Sequence, residues 1–144
     1  MELSGEFEVS SKRDDVVSYL KDIEKVISTI PEVISSEIVD KNNAKIRVKA
    51  GISAIKGKFL ATLQIQENEN GIYITAKGSS SSGSIDLKAL FIPRDDGGMT
   101  NVSWNVQMTV GGMIATMGSR VIDSALQKYI KILTESFKQR IEGK

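Results

Sequence analysis

The chain has 144 residues, of which 40% are hydrophobic and 26% charged, and its net charge is +1. These values predict one globular domain over residues 1–144, and they exclude a strongly basic nucleic-acid binder and an acidic disordered chain. The sequence contains no cysteine and no histidine. Disulfide scaffolds, zinc–thiolate sites, cysteine nucleophiles and histidine general bases are therefore excluded.

The sequence also predicts where the protein works. Residues 1–8 lack the apolar segment of a signal peptide. No stretch approaches the roughly 20 consecutive apolar residues of a membrane-spanning helix. We therefore expect a cytoplasmic protein.

The first third of the chain changes from a strand pattern to a helix pattern. Residues 2–9 alternate between apolar and mostly acidic side chains, which predicts a half-buried strand. Apolar residues then recur at helical spacing over about residues 12–29, and Pro31 ends that pattern. We predict one or two short helices here, with a break near residues 21–22.

The middle of the chain has an apolar period of two, which predicts consecutive antiparallel strands. These strands cover residues 33–40, 44–50, 58–66, 72–78, 85–92 and 101–110. Loops or turns are predicted at residues 51–57, 79–83 and 93–98. Because alternate turns of a meander lie at opposite ends of the sheet, loops 51–57 and 79–83 should lie near Gly111 and Gly112.

The last part of the chain reads as one long amphipathic helix from Met113 to Ile141. The order of elements predicts an α+β fold. In it, a curved antiparallel sheet of seven strands wraps around the long C-terminal helix, and two short helices follow the first strand. Such an arrangement tends to leave a cavity between sheet and helix.

Small side chains and methionines at facing positions support a cavity, because methionine adapts to varied ligand shapes. The predicted ligand-binding walls are Phe59, Leu63, Phe91, Trp104, Met108, Met117 and Val121. The alternative is that these residues, Trp104 among them, are ordinary core.

The predicted loop at residues 51–57 contains two isoleucines between glycines. Exposed apolar loop residues need a partner, a ligand or a cover. Ile52 and Ile55 could therefore form a gate over the cavity, with Gly51 and Gly57 as hinges. Alternatively, the loop tucks both isoleucines over the end of the core.

A basic stripe is predicted on one strand, where Lys45, Arg47 and Lys49 alternate with apolar residues. It suits anionic lipid headgroups or an acidic partner, and it is equally an ordinary solvated sheet face. Because no aromatic side chains are interleaved with the stripe, nucleic acid is not an expected partner.

Two further polar features have less specific interpretations. Asp95 and Asp96 are adjacent but lack the further acidic spacing of a calcium loop, so no metal site is expected. Arg120 could reach a cavity mouth and bind a quinone carbonyl or a partner. It could equally pair with Asp123 or Glu24 on the surface.

Several segments together resemble the CoxG family of carbon monoxide dehydrogenase proteins, within the START/Bet v 1-like (SRPBCC) helix-grip superfamily. The segments that carry this resemblance are residues 1–9, 30–31, 51–59, 78–83 and 110–120. The opening and the Gly-Gly to Gly-Ser-Arg segment at 111–120 are the most specific of them.

The resemblance implies a helix-grip fold around an apolar cavity, with no cofactor of its own. Family members are encoded with molybdenum hydroxylases of the carbon monoxide dehydrogenase type. They are associated with recruiting such enzymes to the membrane or carrying a quinone. Many members carry a hydrophobic C-terminal tail that is not found before Lys144. We therefore expect at most transient contact with the inner face of the membrane.

Three functions follow as hypotheses. The first is a non-catalytic binding protein that holds a quinone or lipid and serves a molybdenum hydroxylase. The second is a ligand-free accessory module that docks or recruits such an enzyme through the basic sheet face and the apolar loop. The third, an enzyme such as a cyclase or hydrolase, is disfavoured because the chain lacks histidine, cysteine and inward-facing acids.

Overall fold

The structure is a computed structural model that describes residues 1–52 and 55–143, with Gly51 and Ile52 described by their backbone. Within these residues the chain forms one antiparallel sheet and several helices. In chain order the elements are β1 (Glu2–Val9), α1 (Arg13–Leu20), α2 (Ile23–Thr29), β2 (Val33–Asp40), β3 (Asn43–Ile52), β4 (Ile55–Asn68), β5 (Gly71–Ser80), β6 (Gly83–Asp96), β7 (Met99–Gly111), a 3-10 helix (Gly112–Met117) and α3 (Ser119–Gly143).

The seven strands form one curved sheet in the order β1-β7-β6-β5-β4-β3-β2, and every neighbouring pair is antiparallel. The predicted α+β architecture is confirmed. Strands β2 to β7 follow one another as a meander, and β1 adds to β7. The long helix α3 lies against the concave face, and α1 and α2 cover one end of it.

The break between α1 and α2 has a local cause. The carboxylate of Asp22 accepts hydrogen bonds from the backbone N–H groups of Glu24 and Lys25, at 3.0 and 3.2 Å. This is an N-cap, which starts a new helix at Ile23. The predicted break at residues 21–22 is therefore confirmed.

Two predicted interruptions of the sheet are wrong. The loop at residues 51–57 is mostly strand, because Ala50 pairs with Gly57 and Gly51 pairs with Lys56. Ser53 and Ala54 of that loop lie outside the described residues. The break at 93–98 is also mostly strand, because Pro93 pairs with Val102. Pro93 lies beyond the end of β5, where β6 has only β7 as a neighbour, and a sheet edge tolerates proline.

The long helix begins later than predicted. A 3-10 helix occupies residues 112–117, and Gly118 then adopts a φ of 94° before α3 starts at Ser119. Glycine adopts this backbone conformation without the steric penalty of a side chain, so the chain changes direction there. The helical phase therefore starts afresh at Ser119.

The turns that were predicted to be neighbours do lie together. Ser84, next to the β5–β6 turn, pairs with Gly111 at the end of β7. The backbone N–H of Ile114 donates to the Ser82 carbonyl at 3.0 Å. We call this region the turn end. Its buried residues are Ile55, Phe59, Ile114, Ala125, Val106, Met108, Ile122 and Leu126.

The opposite region, which we call the helical end, holds the main hydrophobic core. Its buried residues are Val9, Val16, Tyr19, Leu20, Ile23, Val26, Ile27, Ala44, Ile46, Ala61, Leu63, Ile65, Ile72, Val102, Phe137 and Ile141. The Phe137 ring meets Tyr19 and Phe7 edge-on, with centroid distances of 4.9 and 5.8 Å. Such edge-to-face pairs stabilise beyond their buried area.

Candidate functional site

A cavity of about 300 Å³ lies between the concave face of the sheet and the middle of α3. It separates the helical end from the turn end. Its walls come from β1, β3 to β7, α1, α2 and α3, and none of the described residues that line it is charged. Pockets with this apolar lining suit lipophilic small molecules.

The cavity exists because α3 is anchored at both ends and faces small side chains in between. Ala125 and Leu126 pack at the turn end, and Phe137 packs at the helical end. Between them, Tyr129 and Leu133 are only half-buried and line the cavity. The sheet opposite contributes small wall residues, namely Ala61, Ala76, Gly78 and Ala89.

Most of the predicted wall residues line this cavity. Five do so and come from strands β4, β6 and β7: Phe59, Leu63, Phe91, Trp104 and Met108. The alternation of apolar residues in a strand puts every second side chain on the same face, which is why strand positions were predictable. Their role in binding a ligand stays a prediction.

Met117 and Val121 are not among the residues that line the cavity, so their prediction as walls is not supported. Met117 lies on the 3-10 helix, where it packs against the turn end. Val121 precedes the inward-facing Ile122 by one residue, which rotates it about 100° around the helix axis. Both positions depended on a helix that started at Met113.

The predicted gate residues belong to strands. Ile55 starts β4, is buried at the turn end and lines the cavity. Its exposure in a loop was predicted wrongly, because the ladder between β3 and β4 continues to the Ile52–Ile55 pair. The side chain of Ile52 lies outside what the structure describes. A gate at this hairpin therefore stays a prediction.

Trp104 is held in place by a close approach between two strands. It pairs with Gly5 of β1, and a Cβ atom on Gly5 would lie 2.7 Å from Cζ2 and 3.3 Å from Nε1 of the indole. Only glycine leaves room for the ring there. The indole edge that carries the N–H group therefore lies over Gly5, and the ring forms part of the cavity wall.

The cavity also contains hydroxyl groups at its walls. Tyr19 and Thr29 share a hydrogen bond, and the Thr29 hydroxyl lies 2.9 Å from the Lys25 carbonyl that accepts from it. Tyr129 and Thr134 on α3 also line the cavity. Burial raises the pKa of the Tyr129 phenol to about 12, so it stays protonated at neutral pH.

Sequence reasoning does not single out Tyr129, which is one of several residues on the apolar face of the last helix. The signal that could have found it is a hydroxyl on an otherwise apolar helix face. That signal is weak, because tyrosine is common in ordinary cores.

The basic stripe lies on the outer face of the sheet, away from the cavity. Lys45, Arg47 and Lys49 are exposed, as predicted for one strand face. Lys49 stands directly opposite Lys58, and Leu60, which is opposite Arg47, is 53% exposed. Facing like charges destabilise a sheet, so this patch is not explained by stability.

The remaining charged features stay on the surface. Among the described residues one ion pair forms, between Lys21 and Glu67 at 2.8 Å, so Arg120 has no partner there. A hydrogen bond with Asp96 raises the pKa of Glu8 above its usual range. Within residues 1–52 and 55–143, no three acidic, histidine or cysteine side chains cluster in a way that could hold a metal ion.

The helices in the described part of the chain are not suited to crossing a bilayer, since none combines sufficient length with sufficient apolar character.

Solved structures share this fold over almost the full chain. A conserved protein from Geobacillus kaustophilus superposes with a TM-score of 0.88 at 19% identity, covering 98% of this chain and 95% of its own. A START superfamily protein from Mycobacterium smegmatis gives 0.74 at 14% identity, with 99% and 97% covered. The protein Ara h 8.0201 gives 0.65 at 15% identity, with 100% and 99% covered. These likenesses confirm the predicted START/Bet v 1-like helix-grip fold.

Comparison with protein families gives the more specific result. No curated protein matches the chain significantly. The family model for CoxG, the G-type subunit of carbon monoxide dehydrogenase, matches residues 5–142. The chain therefore belongs to the carbon monoxide dehydrogenase CoxG family, as its sequence motifs predicted.

Proposed function

We propose that this protein is a non-catalytic carrier that holds a lipophilic molecule, a quinone or a lipid, in the cavity under α3. The observation that carries the proposal is the apolar cavity itself, which lies between two packed ends of one helix. Natural cores are close-packed, so an interior space of this size needs an explanation. A bound ligand provides one.

Burial of apolar surface would supply most of the affinity. A ligand that buries about 300 Å² of apolar surface gains about 7 kcal/mol before the cost of association. That cost amounts to several kcal/mol, which leaves moderate affinity. Moderate affinity suits a carrier, because a carrier must release its ligand.

The cavity walls favour binding over catalysis. The chain has no histidine or cysteine, and the described residues that line the cavity include no acid or base other than tyrosine. A tyrosine with a pKa of about 12 is a poor general base at neutral pH. We therefore infer that the bound molecule leaves chemically unchanged.

Family membership supports a partner enzyme. The family is named for a component of carbon monoxide dehydrogenase. We propose that the carrier serves a molybdenum hydroxylase of that type, and that its quinone or lipid passes between that enzyme and the membrane surface.

A matched pair of substitutions tests the carrier. Ala76→Leu fills the cavity from β5, whereas Thr75→Leu places the same side chain on the opposite sheet face. Binding of menadione, a small quinone, is measured for both variants and the wild type. We expect Ala76→Leu to lose at least about tenfold in affinity and Thr75→Leu to lose none. A wild type that binds neither menadione nor lipid contradicts the proposal.

A second candidate function is docking without a ligand, and the outer basic patch favours it. Lys49 and Lys58 face each other beside the exposed Leu60, which suits an acidic protein surface or an anionic membrane. Capture of the partner enzyme would then depend on Lys49 and Lys58 and would survive Ala76→Leu. Capture that is lost in Ala76→Leu and retained in Lys49→Gln would instead support the carrier.

A further inference from the structure

We propose that the ligand is uncharged and carries an oxygen acceptor, such as a carbonyl, to which the Tyr129 hydroxyl donates a hydrogen bond. This inference rests on the proposed carrier function and names the chemical class that the cavity selects. It assigns the selection to one residue in the middle of α3.

The charge of the walls sets the first condition. The described residues that line the cavity include no lysine, arginine, aspartate or glutamate. A buried ion without a counter-charge costs several kcal/mol. A carboxylate such as a fatty acid is therefore disfavoured, and an ester, ketone or quinone is not.

Two of the wall hydroxyls are already occupied. The Tyr19 hydroxyl bonds to Thr29, and Thr29 in turn lies within hydrogen-bond distance of the Lys25 carbonyl. These groups are bonded to one another at the helical end. They have little left to offer a ligand.

Trp104 and Thr134 are also poor donors to the cavity. The indole edge with the Nε1–H group of Trp104 lies over Gly5 of β1 rather than over the cavity. Thr134 follows Ile130 by one helical turn, and a threonine in a helix commonly donates to the carbonyl four residues earlier.

Tyr129 remains, and its position fits the role. It lies on α3 between the two anchored ends and lines the cavity. Burial is the one cause of its raised pKa, and no group among the described residues contributes a hydrogen bond to its hydroxyl. A desolvated hydroxyl gains a bond when a ligand brings an acceptor, and a hydrocarbon leaves it unmade.

The experiment compares three probes of similar shape at neutral pH: menadione, its hydrocarbon counterpart methylnaphthalene, and naphthoate. Affinities are measured by displacement of an apolar fluorescent dye. The wild type is set beside Tyr129→Phe and the control Tyr19→Phe, and thermal melts confirm that each variant is folded. We expect the wild type to bind menadione best and naphthoate worst.

The expected effect is specific to one probe and one variant. Tyr129→Phe should weaken menadione binding about three- to tenfold and leave methylnaphthalene within twofold. Tyr19→Phe should preserve the preference of the wild type for menadione over methylnaphthalene.

Two results overturn the inference and differ in what they mean. If Tyr129→Phe binds menadione as the wild type does, or if naphthoate binds as well as menadione, the selection by Tyr129 and by charge is wrong while the carrier stands. If the wild type binds neither menadione nor methylnaphthalene, the carrier itself is wrong and the inference falls with it.

Discussion

The helical end and the middle of the molecule use the same kinds of residue in opposite ways. At the helical end, sixteen buried side chains pack around Phe137. Half a helix away, the same face of α3 carries Tyr129 and Leu133, which face alanines and a cavity. Stability is therefore concentrated where the short helices meet the sheet. The space for a ligand lies where α3 bridges between its anchors.

The turn end is the weaker anchor. Its buried residues form two clusters of four, against sixteen in one cluster at the helical end. Regions with fewer buried contacts open at lower free-energy cost than the rest of a protein. We expect the turn end to open first, and this gives a ligand a route into the cavity.

The largest expected effect separates the two regions directly. Phe137→Ala should lower the free energy of unfolding by about 3–5 kcal/mol, because it leaves a void in a packed core. Phe91→Ala should cost about 1–2 kcal/mol, because Phe91 already borders empty space. Urea unfolding measures both. Equal losses would contradict the distinction between packed end and cavity.

The next effect concerns the cavity wall. Gly5→Ala should lower the free energy of unfolding by about 1–3 kcal/mol, because its Cβ atom would lie 2.7 Å from the Trp104 ring. It should also change the fluorescence of Trp104, the one tryptophan of the chain. The neighbouring Ser4→Ala, on the outer face, is the control. Unchanged fluorescence would show that the indole does not rest on Gly5.

A third prediction concerns pH and divides the molecule in the same way. Hydrogen bonds from the Asn43 side chain and the Asn42 backbone hold the pKa of Asp40 below its usual value of 3.8. The folded state thus binds this proton less readily, so the contribution of Asp40 is present above that value and is lost as pH falls through the lowered pKa. Asp40→Asn should flatten the acid limb of the stability curve.

Glu8 should act in the opposite sense. Its pKa is raised by Asp96, so its contribution falls as pH rises from the usual 4.5 through the raised value. Neither carboxylate lines the cavity. Unfolding midpoints should therefore vary between about pH 3 and pH 6, while the affinity for menadione stays constant above the unfolding pH. An affinity that follows these carboxylates would contradict the separation of site and core.

The smallest expected effect tests the outer patch. Lys58→Glu replaces a like-charge pair with an attractive one opposite Lys49, and it should stabilise the fold by about 0.2–1 kcal/mol. The gain should shrink in high salt, because exposed charges are screened. A loss of stability would mean that the two lysines do not face each other.

The sequence predicted the order of the elements and failed where one residue changes local geometry. Alternation along the strands identified Phe59, Leu63 and Phe91 as inward-facing, because a strand has a fixed period of two. The prediction of Met117 and Val121 failed because the φ of Gly118, which resets the helical phase, is not encoded in hydrophobicity.

The strand boundaries at glycine and proline failed for a related reason. Glycine at 57 and proline at 93 usually interrupt strands, yet here both lie in register with a neighbouring strand. The prediction of the cavity came from the architecture and from small residues such as Ala61 and Ala89. Tyr129 could not be identified as a donor, because its isolation from partners depends on how far α3 stands from the sheet.

The most direct test of the carrier is native mass spectrometry of the protein purified from its own host, followed by solvent extraction. We predict that the wild type and Thr75→Leu carry a co-purified quinone or neutral lipid in a one-to-one complex, and that Ala76→Leu carries none. A wild type that is empty as purified and stays empty after incubation with menadione would contradict the account.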